Sequence, residues 1–131
     1  MIFKKRTKPI KLESPQQLDE LTRTGKPVFI DFWQTNCQSC RTMDGIVSEL
    51  ADEYRDSAHV VKVDVRQVPQ VAQRYRVMST PTFVVIGAPR KKQSKKSRKQ
   101  KGGPTERWRA SGLVKKDQLQ QALERNGAER A

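Results

Sequence analysis

Apolar positions recur along the chain with two periods, and the alternation between them sets out the elements. Ser14-Pro15-Gln16-Gln17 reads as a helix start, with Ser as the cap, Pro at the first helical position and Gln at the capping-box position. Leu18 and Leu21 give that helix an apolar face, and Gly25 ends it before Pro27. Residues 28–33, VFIDFW, form a nearly continuous apolar run, as expected of a strand buried on both faces, and a single acid, Asp31, interrupts it. Over 39–54, Met43, Ile46, Val47, Leu50 and Tyr54 recur at helical spacing. Residues 60–65 read as a second strand, 68–75 as a short helix, 81–86 as a third strand and 107–111 as a fourth. A last amphipathic helix over 113–126 turns Leu119, Ala122 and Leu123 inward, with Gly127 just past its end. Such alternation predicts an α/β domain with helices on both faces of a central sheet.

Composition adds an asymmetry that the pattern does not show. The 131 residues suit one domain with one core, and 34% of them are hydrophobic. The formal net charge is +13. Lys4, Lys5, Arg6, Lys8 and Lys11 precede the first acid, Glu13, and Arg90, Lys91, Lys92, Lys95, Lys96, Arg98, Lys99 and Lys101 follow one another with no acid among them. Together these residues equal the whole excess and the rest of the chain is neutral, so a domain over 10–131 follows a basic N-terminal segment, 1–9, and carries a basic insertion at 88–105. The insertion has no large apolar residue and is expected to be a flexible loop. No apolar run approaches the roughly 18 residues of a membrane span. The start, MIFKKRTKPIK, lacks the apolar stretch of a secretory signal, so the expected location is the cytoplasm.

The two cysteines, Cys37 and Cys40, stand two residues apart in DFWQTNCQSC. A metal site, a stabilising crosslink and a redox centre compete to explain them. Metal binding needs two more ligands, yet the single histidine is His59 and there is no further cysteine, so no metal is expected. A crosslink closing so small a loop gains little chain entropy, and a reducing compartment disfavours structural disulfides. A redox centre fits the placement. The strand ending at Trp33 and the helix beginning near Cys37 put that sulfur at a helix N-terminus. The helix dipole and free N–H groups there favour a thiolate, and Arg41 adds positive charge nearby. One thiolate would attack a substrate disulfide, and the other would resolve the mixed disulfide.

These residues, in this order, resemble the thioredoxin family from about Ile10 to Gly127. The pieces that carry the resemblance are VFIDFW, C-x-x-C, Met43, LADEY at 50–54, VKVD at 61–64, TPTF at 80–83 and Gly112. The resemblance implies a thioredoxin fold, a central mixed β-sheet flanked by helices on both faces. It implies an enzyme that reduces protein disulfides by dithiol–disulfide exchange, and a reductase that restores the dithiol, with no cofactor. Cys37 would be the exposed nucleophile and Cys40 the buried resolving thiol, the two forming the redox disulfide. Asp31 would be a buried carboxylate of raised pKa that exchanges a proton with Cys40, with Lys62 as its charge partner. Pro81 would be a cis proline facing the cysteines, with Thr80 offering backbone hydrogen bonds to an extended substrate. Trp33 would flank the site, and Gly112 would let a partner's backbone approach. The family usually has Trp before the first cysteine and Gly-Pro between the two; here Asn36 and Gln38-Ser39 take those places, and Gly45 replaces a helix-kinking Pro.

The basic insertion supports a second reading, a binding module on the same fold. Where the family has a tight hairpin, about fifteen to twenty residues intervene, beyond the usual two to five. Arg90, Lys91, Lys92, Lys95, Lys96, Arg98, Lys99 and Lys101 could contact nucleic acid or another polyanion. No aromatic interleaves them, so any such contact would be independent of sequence and sensitive to salt. His59 is expected in a solvated connection, and Trp108 in the alternation of a strand.

Overall fold

The computed structural model describes residues 5–87 and 105–131. Five strands, β1 (Ile10–Lys11), β2 (Val28–Trp33), β3 (His59–Asp64), β4 (Thr82–Gly87) and β5 (Thr105–Ser111), form one sheet in the order β1-β3-β2-β4-β5. The first three run parallel, whereas β4 pairs antiparallel with both β2 and β5, so the sheet is mixed. Four helices, α1 (Pro15–Thr22), α2 (Gln38–Glu53), α3 (Pro69–Arg74) and α4 (Lys116–Arg125), cover its faces. None of them is long and apolar enough to cross a membrane.

Two apolar clusters show how the strands divide their side chains. On one face Phe29, Val60, Phe83 and Val85 pack against Met43, Val47 and Leu50 of α2 and Leu119, Ala122 and Leu123 of α4. On the other, Val28, Ile30, Phe32, Val61, Val63, Val84 and Ile86 meet Leu18 of α1 and Val71 and Ala72 of α3. The mostly apolar sequences of β2 and β4 follow from this arrangement, since their successive positions face the two helix layers in turn, whereas β3 carries half-buried His59, Lys62 and Asp64 among its valines.

Several boundaries differ from expectation. The strand β1 is an addition: two residues are too few to show alternation, and what holds it is backbone pairing with Val61 and Lys62 of β3. The helix α4 begins at Lys116 rather than 113, because Gly112 turns at φ +79° and leaves Leu113 70% exposed. His59 does not sit in a solvated connection; it opens β3, half-buried, with Nε2 2.9 Å from the Thr24 hydroxyl. Trp108 lies in β5, half-buried against the α2–α4 cluster. Of the basic N-terminal segment, the N–H of Thr7 donates to Asp52 at 2.9 Å.

The helix α2 contains a glycine midway that the fold does not need. Gly45 is exposed, and a methyl group there would meet no atom within 4 Å. Gly45→Ala is therefore expected to stabilise the protein by about 0.5–1 kcal/mol, by reducing the freedom of the unfolded chain. A urea midpoint that stays the same or falls would contradict this.

Candidate active site

The site forms where β2 gives way to α2. Cys37 is the N-cap of α2 in extended conformation, and its Sγ accepts a hydrogen bond from the N–H of Cys40 at 3.2 Å. Asn36, immediately before it, takes a left-handed turn at φ +61°, a conformation that Asn tolerates better than most residues. The first turn of α2 carries Cys40 inward. Cys37 is half-buried while Cys40 is 4% exposed, and the two are joined as a disulfide with Cα atoms 5.2 Å apart.

The loop before β4 closes over the first sulfur. Cys37 Sγ lies 3.5 Å from the carbonyl oxygen of Thr80, and the Thr80 hydroxyl points to the same sulfur at 3.6 Å. The side-chain amide of Gln34 donates to that hydroxyl at 2.9 Å, so the hydroxyl proton is left for the sulfur. The Thr80–Pro81 peptide bond is cis, and Pro81 is buried. The N–H of Gly112 donates to the Pro81 carbonyl at 2.9 Å, which fastens the turn after β5 to the same loop. Met78, in the connection leading to Thr80, is 92% exposed.

Beneath the cysteines lies a charged row. Alternation along β2 turns Asp31 toward the α2 side, between Phe29 and Trp33. In register, Asp31 is flanked by Lys62 on β3 and Phe83 on β4. Its carboxyl is 1% exposed, and Oδ1 has no hydrogen-bond partner. Burial pushes the pKa up to about 7; the positive charge of Lys62 opposes this and the negative charge of Asp44 adds to it. The Lys62 ammonium bonds not to Asp31 but to Asp44 Oδ1, at 2.6 Å, and stands 5.1 Å from the centre of the Trp33 ring.

The structure thus brings Cys37, Cys40, Asp31, Lys62, Trp33, Thr80, Pro81 and Gly112 to one end of the sheet. Sequence reasoning missed Gln34 and Asp44. Asp44 follows Cys40 by four residues and so shares its side of α2, a signal that spacing offers. Gln34 has no such signal, since its bond to Thr80 spans 46 positions. The expected polyanion contacts, Arg90 to Lys101, lie outside the described residues. Among the described residues no three metal-ligating side chains come together.

Comparison with known proteins gives concordant matches. The family model for thioredoxin matches residues 8–124. Thioredoxin 1 of Chlorobaculum tepidum is 34% identical over 109 residues, covering 82% of this chain and 93% of that protein. Among solved structures, the thioredoxin of Malassezia sympodialis superposes with a TM-score of 0.74 at 25% identity, covering 96% of each chain. That of Fasciola hepatica does so with a TM-score of 0.70 at 28% identity, covering 89% of this chain and 98% of its own.

Proposed function

Because this chain belongs to the thioredoxin family and is a thiol–disulfide oxidoreductase, we propose that it reduces protein disulfides through a Cys37 thiolate and a Cys40 resolving thiol, with Asp31 as the proton acceptor. The observation that carries the reading is the unequal exposure of two bridged sulfurs at the head of α2. In the dithiol form, the Cys37 thiolate attacks one sulfur of a substrate disulfide. A mixed disulfide forms, and the other substrate sulfur leaves as a thiolate. Cys40 then yields its proton to Asp31 and attacks Cys37 Sγ. The Cys37–Cys40 disulfide closes, the second substrate thiolate departs, and two electrons have passed to the substrate. A thioredoxin reductase returns them.

The surroundings support each role. The N-terminus of α2 and the Cys40 N–H favour negative charge on Cys37. Asp31, with its pKa near 7, is matched to proton exchange at neutral pH. Lys62 bears on Asp31 through its charge rather than through a direct bond. Trp33 flanks the site beneath Lys62, while Thr80 and Pro81 form the edge along which an extended substrate would lie and Gly112 leaves room for its backbone. A reducing compartment such as the cytoplasm would keep the two cysteines in the dithiol form that this reaction uses. Reduction of insulin disulfides by the dithiol form tests the proposal directly. Insulin that stays intact while a control thioredoxin cleaves it would overturn the assignment.

A narrower outcome concerns the hydroxyl on the sulfur. Thr80→Val is expected to slow alkylation of Cys37 at pH 7 by about threefold to tenfold, because the thiolate loses a donor. An unchanged pH midpoint for alkylation would remove Thr80 from that role.

A further inference from the structure

The charged row beneath the cysteines contains one more carboxylate than the proton transfer requires. Lys62 and Asp31 are register partners on adjacent parallel strands, which lie roughly 5 Å apart. Asp31 Oδ1 is buried without a hydrogen bond, and the ammonium of its register partner, on a flexible stem, is a group able to supply one. Yet the ammonium is drawn instead to Asp44, 2.6 Å away, on the turn of α2 that follows Cys40. It is steadied there over the Trp33 ring.

We propose that Asp44 is a positioning residue for the proton step: by holding the Lys62 ammonium at the rim of the site, it keeps the buried Asp31 carboxyl unpaired and therefore able to take and return the Cys40 proton near neutral pH. The proposal rests on the reading of Asp31 as the proton acceptor.

The charges around Asp31 all bear on this balance. From β3 comes Lys62, from α2 come Asp44 and the Cys40 thiol, and from β4 the register partner is the apolar Phe83. Asp44 acts twice with the same sign. Its own negative charge disfavours ionisation of Asp31, and its hold on Lys62 keeps that ammonium, whose charge favours ionisation, from closing on the carboxyl with a direct bond. Asp44 is half-exposed, so its removal leaves the core intact. A half-exposed ion pair also adds little to stability, which leaves control of the neighbouring carboxyl as the larger effect of this contact.

The test is a titration of the Asp31 carboxyl by carbon-13 NMR in the disulfide form, beside the pH profile of insulin reduction by the dithiol form. In Asp44→Ala, and equally in Asp44→Asn, the midpoint is expected to fall by about one pH unit as Lys62 turns inward. The acid limb of the rate profile should move down with it. In a Lys62→Met background the same substitution should move the midpoint less, since only the direct charge remains. A midpoint that does not fall in Asp44→Ala, or falls equally with and without Lys62, overturns the role of Asp44 and leaves Asp31 untouched. A midpoint that falls while the rate profile stays fixed overturns the proton role of Asp31, and the consequence for the rate with it.

Discussion

Replacing Cys37 by serine is expected to lower insulin reduction by roughly 10³-fold or more, to the rate that the added dithiol sustains alone. The reason is positional. Cys40, on the inner side of the first turn of α2, has lost almost all contact with solvent, so it cannot meet a substrate disulfide in place of the missing sulfur. Serine at the N-cap still bonds the helix N–H groups, so the fold should survive. The complementary variant separates attack from resolution. Cys40→Ser keeps the Cys37 thiolate but has no second thiol, and it should accumulate a covalent adduct with substrate, visible by mass spectrometry before reduction and absent after it. Turnover by Cys37→Ser equal to that of the parent protein would end the nucleophile assignment.

Asp31→Leu is expected to remove most of the pH dependence of stability that the parent protein shows between pH 4 and pH 7. The carboxyl titrates near 7 in the folded chain but near its ordinary value of 3.8 when unfolded. Between those values the folded state holds a proton that the unfolded state has released, so stability falls as pH rises. About three pH units at about 1.4 kcal/mol each give a loss of about 4 kcal/mol, complete once the pH exceeds 7. Leucine carries no charge to desolvate. The variant should therefore be the more stable protein at pH 8 and should lose this advantage at pH 4. It should also resolve mixed disulfides roughly tenfold to a hundredfold more slowly, having no base for Cys40. Urea midpoints measured at pH 4, 6 and 8 decide the first point. Parallel pH curves for the two proteins would mean that Asp31 is not held in its neutral form.

Much of this architecture is legible in the chain because its signals are local. The run VFIDFW announces a strand covered on both faces, and an acid within it has nowhere to go but inside. Ser14 and Pro15 mark the start of α1, and the Ser14 side chain does accept the Gln17 N–H. What stays hidden depends on distant partners. The strand β1 exists only because β3 offers it a backbone edge. The amide of Gln34 finds Thr80, and Lys62 finds Asp44, through contacts that no spacing rule connects. Lys62 is the clearest instance. Strand pairing places it beside Asp31, as the family resemblance implies, but the position of its ammonium depends on a residue of α2 that the motif does not include.

The sheet also acts as a partition. Asp31, Lys62 and Phe83 all project toward the α2 side, whereas the apolar cluster covered by α1 and α3 lies on the opposite face and includes neither cysteine. Changes of packing on that rear layer should alter melting temperature while leaving the reduction potential where it is, so durability and electron affinity can be adjusted from opposite sides of the same five strands.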